Sequence, residues 1–339
     1  MWPQLRAVTG AGTAWTLADI EHHAVAFDVA CLSTPEVDHF CSSSAWVVPA
    51  AQALMPSRRP VIATDSATAP RSIFAAMANQ HPDGFEYIEP LELAWGLASP
   101  LLGAEPVATV ELALHRLAAE RHWRMALLAG IVVDGAHSQA LQRRLPRGWV
   151  LRLGQPTLRH RANIADGVDG FLARRSAQFR KTLLKNVRRA ERAGISFAAV
   201  TVTAANAAAL FERILACEQH SWKGRDEVGM SVDAMRNFYA AMLPMLAASG
   251  AARLMFASNA DRDIAYVLGA RLGAEYRGLQ FSYHDDYAAL SLGSLCQYHQ
   301  IVALVAEGVE LYDLGSEMEY KQRWAEENFV TTIHTIIRR

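Results

Sequence analysis

Cysteine is scarce in this chain: Cys31, Cys41, Cys217 and Cys296 are the only four in 339 residues, and no two form a C-x-x-C pair. That excludes a disulfide-framed secreted domain and a cysteine zinc site, and it fits reduced, buried thiols in a cytoplasmic protein. Surplus charge is also lacking. Lys and Arg total 33 against 34 Asp and Glu, a net charge of −1, so the molecule as a whole is no polyanion binder. Long apolar runs are missing. The best candidate, AMLPMLAASGAARLMF (241–256), is cut by Pro244, Gly250 and Arg253, and a membrane helix needs roughly 20 apolar residues. The N-terminal MWPQLRAVTGAGTAW has no continuous apolar stretch, so no signal peptide is expected. Gly10-Ala11-Gly12 lacks a preceding strand and a third glycine, which rules out a dinucleotide fingerprint. His22-His23 and the other histidines belong to no H-E-x-x-H, and no metal is expected.

What is present is an ordinary globular composition, 51% hydrophobic and 20% charged, in a chain long enough for two domains. In the first 150 residues the spacing predicts helices at about 35–54, 70–80 and 105–121, with Pro70 in a first turn. Short β-type runs lie at 60–64, 85–88, 125–133 and 149–153. Nothing there is chemically armed. The polar stretch GQPTLRHRANIADGVDG (154–170) reads as an interdomain linker. A helix over 176–193 follows, with Ser176 as cap, Gly194 as terminator, and Phe179, Leu183, Val187 and Ala190 as its buried stripe. After a strand at 195–202 come a helix bearing Leu210, Phe211, Ile214, Leu215 and Trp222, and another beginning at Ser231. Strands at 253–257, 264–272 and 276–283 form a meander, the last two joined by a hairpin-length Gly273-Ala274-Glu275. Helix 294–307, strand 310–314 and a final strand at 329–337 complete an α+β order.

The most informative run is 276–324. There a strand feeds the loop HDDYAALSLGS, which opens an apolar helix. A small-residue loop at a helix start gathers free backbone N–H groups around one point, and with the helix dipole that point attracts phosphate. Ser291-Leu292-Gly293-Ser294 supplies such a loop, and Gly293 lets backbone approach a ligand closely. A pyrophosphate-bearing cofactor is therefore expected at this place.

This order and its residues resemble the GNAT acyltransferase fold, and more narrowly the cellulose-biosynthesis-associated (CelD/BcsL-like) acetyltransferases. The resemblance is carried by FRKTLLKNVRRAERAG (179–194), EQHSWKG (218–224), AYVLGARL (265–272), SYHDDYAALSLGSL (282–295), EGVELYDLG (307–315) and EYKQRW (319–324). It is strong over 170–325 and weaker before, where Ser44-Ala45-Trp46 and 94–102 carry it. One departure is Leu292, where the family usually has proline. The resemblance implies an α+β (mixed α/β) chain of tandem GNAT-like domains, each a mixed central sheet flanked by helices, as in the related Fem-type aminoacyltransferases. Residues 1–155 would be a degenerate unit without its own cofactor, and 156–339 the acyltransferase.

The resemblance further implies acetyl-CoA or another acyl-CoA as donor, with an amine of a small molecule or cell-envelope precursor attacking its thioester directly in a ternary complex. Tyr283, Ser291, Leu292, Gly293, Ser294 and Leu295 would hold the cofactor, whose pantetheine would pair with strand 276–283 opposite a splayed strand 310–314. His284, Asp285 and Asp313 are the candidate bases, and Tyr320 the acid for the thiolate. Trp222, Lys223 and Lys321 are candidate substrate contacts, while Trp324 is expected to pack. Residues 159–192 carry ten Arg or Lys against three acids, a local +7. Such a run is ordinarily a solvated helix face, yet it also suits tRNA or another polyanion at the basic helix 174–192. Two alternatives stay open: an aminoacyl-tRNA-dependent transferase of Fem type, and a catalytically silent GNAT-like binding protein.

Overall fold

The computed structural model describes residues 12–338. The N-terminal run judged not to be a signal peptide lies mostly outside the described residues, as do Gly10 and Ala11. The chain forms two compact units. One takes the chain up to Pro156 and again from Thr331 onward, and the other is Thr157–Val330.

The first unit opens with β1 (Thr13–Trp15), α1 (Leu17–His22), α2 (Ala24–Ser33) and α3 (Ser44–Ala53). Strands β2 (Arg59–Thr64), β3 (Ser72–Gln80), β4 (Glu86–Pro90) and β5 (Leu101–Gly103) follow, then α4 (Pro106–Ala119), β6 (Trp123–Val132), α5 (Ala136–Arg144) and β7 (Trp149–Leu153). The order is β1-β2-β3-β4-β6, with β5 on β3, and among these described pairs β4 and β6 run parallel while the others are antiparallel. Apolar side chains of β3, α4 and β6, among them Phe74, Val110, Leu117 and Leu128, form the core.

Two sequence expectations fail here. Residues 70–80 are strand β3, not helix. The alanine-rich run looks helical, but Ser72 to Ala78 are buried without interruption between β2 and β4, as in a central strand covered on both faces. The helix expected at 35–54 is confined to α3, because residues 35–43 form turns that follow the end of α2 at Ser33.

The second unit holds β8 (Thr157–Asn163), α6 (Gly167–Ala173), α7 (Ala177–Arg192), β9 (Ile195–Val200), α8 (Ala207–Gln219), α9 (Trp222–Arg225) and α10 (Asp233–Ala248). It continues with β10 (Ala252–Asn259), β11 (Arg262–Leu272), β12 (Glu275–Tyr283), α11 (Leu292–Ala306) and β13 (Leu311–Ser316). Its sheet order is β9-β10-β11-β12-β13-β8, and within that order, among the described residues, β12 and β13 are the parallel pair, with α11 as the crossover. The predicted linker is thus a strand and a short helix. Its polar composition misleads because β8 buries Arg159 and His160 against partners far along the chain.

Strand β14 (Glu327–Arg338) then returns, and from Thr331 it pairs with β6 and β7. Residues 331–339 therefore group with the first unit, where the expected division at 155/156 had assigned them to the second.

Local chemistry accounts for the second unit's elements. Ser176 Oγ accepts the Phe179 amide (3.1 Å) to start α7, which buries Leu183, Asn186 and Ala190, and Gly194 at φ +71° ends it. Gly273 takes φ +61° in the tight turn between β11 and β12. Trp324 sits in the core between Phe171 and Phe179, 6.1 and 5.0 Å from their ring centres.

Candidate functional site

Strands β12 and β13 part company early. Residues 275–277 pair with 311–313, but 278–283 have no partner on β13, which continues along β8 instead. A register shift opposite Leu268 and Gly269 leaves Leu279 as an extra residue, a bulge in β12 just where the strands diverge. The His284 amide reaches Ile264 O on β11 (2.8 Å). By strand alternation the carbonyls of Phe281 and Tyr283 face the other, open edge. Side chains alternate as well. Phe281 and Tyr283 face α11, and Gln280 faces α10 through the Tyr239 hydroxyl (3.1 Å).

Lys223 stands at the open edge. Its ammonium donates to Phe281 O (3.0 Å) and Gln280 Oε1 (2.5 Å), and it lies 3.8 Å from the buried Glu218 carboxylate. Burial lowers its pKa, against the pull of Glu218. Glu218, a group the sequence reading missed, also accepts the Met230 amide (2.6 Å) and the Tyr266 hydroxyl. Trp222 beside it is 44% exposed.

On the other face α11 begins. Ser291 is held in the left-handed region (φ 57°, ψ 40°), uncommon for a residue with a side chain, and it turns the chain into α11. The first bond back to the loop is Leu295 N to Ser291 O (3.2 Å), so the amides of Leu292, Gly293 and Ser294 are left for another acceptor. Ser291, Ser294, Tyr320, Arg323 and Thr182 line a cleft of about 630 Å³ between this helix start and α7. Leu292 and Leu295 are fully buried in the core, backbone included, and neither lines the cleft; of the expected cofactor contacts in this loop Ser291 and Ser294 do. Gly293 is buried too. A Cβ there would stand 2.9 Å from Phe281 and 3.4 Å from Tyr283, so its missing side chain serves helix-to-strand packing.

Asp313, proposed as a base, is committed elsewhere. It is buried, its carboxylate accepts from Arg159, from Arg277 Nη1 (2.7 Å) and from the Gly315 amide (2.7 Å), and Arg161 lies 3.6 Å away. Burial alone would raise its pKa, but the three guanidinium groups and the amide overcome this and hold it at about 2. A carboxylate so held is a poor proton acceptor at neutral pH. Its cluster also accounts for the Asp-Leu-Gly sequence: Gly315 has φ +85°, and a Cβ on it would collide with the Arg277 guanidinium. The sequence reading had counted Arg159 and Arg161 only as part of a basic run and had missed Arg277.

His284 is likewise engaged. Arg262 donates to Nε2 (2.8 Å), while Nδ1 lies 3.3 Å from the Asp286 amide at the start of the turn 285–290. Its ring stacks on His220 at 4.8 Å, and burial first, then Arg262, lowers its pKa. The lone pair that a base would use is occupied by Arg262. Asp285 pairs with Arg225 at 2.5 Å. Neither residue lines the cleft beside α11.

Tyr320 does line it, edge-on to Phe281 at 5.9 Å, and burial pushes its phenol up to about 12, so it is a proton donor at neutral pH. Lys321 points away and is buried. Its ammonium donates to Ser316 O (2.8 Å), and burial together with Arg277 lowers its pKa to about 8. The geometry thus gathers the α11 loop and Tyr320 at one cleft, sets Lys223 at the strand opening, and leaves His284, Asp285, Asp313 and Lys321 in structural contacts.

Residues 177–322 match the family model described as an acetyltransferase (GNAT) domain. No curated protein matches the sequence. Among solved structures, a conserved protein of unknown function from Bacteroides thetaiotaomicron is similar in fold, with TM-score 0.63 and 9% identity over 96% of this chain and 99% of that one. FemX is similar at TM-score 0.63 and 11% identity, covering 94% and 96% of the two chains. L-PGS from Bacillus licheniformis is similar at TM-score 0.57 and 11% identity, over 93% and 91%. At such identities the likeness is one of fold. The family match at 177–322 lies within the second unit, and the chain has the tandem mixed-sheet layout of these structures. Among the described residues no helix is long and apolar enough to cross a membrane.

Proposed function

We propose that the second unit binds an acyl-CoA at the opening between β12 and β13 and transfers the acyl group to an amine. The observation that carries this reading is the parallel strand pair that parts after three residues, with the start of α11 beside it. Ser291 and Ser294 at the start of α11, with Arg323, fit a pyrophosphate, and the open edge of β12 fits an extended chain of amides such as pantetheine. Lys223 must then release the Phe281 carbonyl as that chain pairs.

In the reaction the amine enters as the free base, its nitrogen bonds to the thioester carbon, and the C–S bond breaks. Tyr320 donates a hydrogen bond, then its proton, to the departing sulfur. The proton shed by the new amide nitrogen passes through solvent to restore the Tyr320 phenol. Oriented binding of the two reactants supplies much of the rate, and acid–base help adds roughly 10²–10⁴-fold. The finer assignment to the CelD/BcsL-like group rests on the runs 307–315 and 319–324. A small-molecule or cell-envelope amine is the acceptor class it favours.

Calorimetric titration of nucleic-acid-free protein with CoA and acetyl-CoA tests the donor. Micromolar binding supports the reading, and no binding by folded protein overturns it. The exposed basic face of α7 favours one second reading, an aminoacyl-tRNA donor of the Fem type. Co-purifying tRNA removed by RNase, with no affinity for CoA, would select it.

A further inference from the structure

The local charge surplus resolves, residue by residue, into used and unused cations. Arg159 and Arg161 serve Asp313, Arg174 and Arg175 serve Asp166 and Glu326, and Arg180 Nη1 donates to the carbonyls of Leu172, Ala173 and Arg175. Five remain. Lys181, Lys185, Arg188, Arg189 and Arg192 are all exposed and make no ion pair with a described residue. Their spacing of four, three, one and three places them on one stripe of α7, and over such a span the stripe is roughly 16 Å long. Glu191 is the one acid within α7. In the middle of the stripe Leu184 is 45% exposed, and these six residues line a shallow groove of about 430 Å³.

We propose that this face docks the protein on an anionic lipid bilayer. The cations alone would suit any phosphate-rich surface. Leu184 makes the difference, because a nucleic-acid backbone offers it no apolar partner. A bilayer places acyl-chain carbon just beneath the phosphates, and the aliphatic stems of Lys and Arg can lie along that boundary with their charges outward. The stripe carries no aromatic side chain on which bases could stack. Each cation held near an anionic leaflet raises partitioning about fivefold.

Co-sedimentation of the full chain with vesicles of phosphatidylcholine, with and without phosphatidylglycerol, tests the proposal, with duplex RNA and heparin as alternative ligands. Binding should require phosphatidylglycerol, weaken with salt, and fall roughly 10²-fold in Lys185→Gln/Arg188→Gln/Arg189→Gln. All three side chains are exposed, so thermal melting should match the parent. Leu184→Ser should lower vesicle binding and leave retention on heparin unchanged. Failure to bind anionic vesicles, duplex RNA binding without vesicle binding, or vesicle binding indifferent to Leu184→Ser would each overturn it.

Discussion

Asp313→Asn separates a structural carboxylate from a catalytic one. In the fold this carboxylate neutralises guanidinium groups of Arg159 and Arg277, both buried, with Arg161 close by. An asparagine keeps the shape and some hydrogen bonding but removes the negative charge that Asp313 supplies to those cations. Removing one partner of a buried ion pair costs about 3–5 kcal/mol. For a unit of this size each kcal/mol lowers the melting temperature by about 2–4 °C, so a fall of roughly 6–20 °C is expected by scanning calorimetry.

The pH dependence supplies an independent check. The carboxyl titrates at about 2 in the fold against 3.8 unperturbed. Its contribution is therefore fully present above about pH 4 and lost as pH falls through 2. The shift corresponds to about 2 kcal/mol at neutral pH. The wild-type chain should lose that much more stability than the Asn variant on acidification from pH 4 to 2. A variant that melts within about 1 kcal/mol of wild type, keeps the same acid limb and has lost all transfer activity would refute the reasoning and make Asp313 chemical.

Gly293→Ala should destabilise by about 1–3 kcal/mol in urea unfolding, because the new methyl meets Phe281 and Tyr283. For the same reason Gly293→Trp should disrupt packing as well as block the cleft. Tyr320→Phe should lower kcat by about 10²-fold in a thiol-release assay with CoA affinity unchanged, since only the donated proton is removed. Lys321, held at about 8 in the fold against 10.5, favours its neutral form there. Stability should consequently rise between about pH 8 and 10.5 by on the order of 3 kcal/mol relative to Lys321→Met, as read from paired urea titrations.

Much of the second unit is legible in the sequence because its elements follow local rules: a capped, striped α7, a meander with a glycine turn, and a loop that opens α11. The parallel β12–α11–β13 crossover also follows from element order. What local pattern cannot reveal is pairing across sequence distance. Arg159 meets Asp313 across 154 positions, and nothing near either residue announces the other. A lone aspartate at the end of a strand near a helix start therefore reads as a base until its counter-charges are found. The run 70–80 fails for a related reason, since small apolar residues fit either a helix or a fully covered strand, and only the flanking strands decide.

The two units repeat one device, and the repeat bears on how many cofactors the chain can hold. In the first unit β4 and β6 form the parallel pair, with α4 in the connection between them, as β12, α11 and β13 do in the second. The helix starts differ in chemistry. Helix α11 follows an uncharged serine and presents free amides, while α4 follows Glu105 and has Pro106 at its start. The proline removes one donor, and the glutamate sets negative charge where a phosphate would approach, a place that the helix dipole would otherwise make attractive. An anionic cofactor is thus favoured at α11 and opposed at α4. Titration should accordingly reach one CoA per chain, and Gly293→Ala, which perturbs only the second unit, should weaken all of the binding. A stoichiometry of two, with one site indifferent to Gly293→Ala, would mean that the first unit keeps a cofactor site despite Glu105 and Pro106.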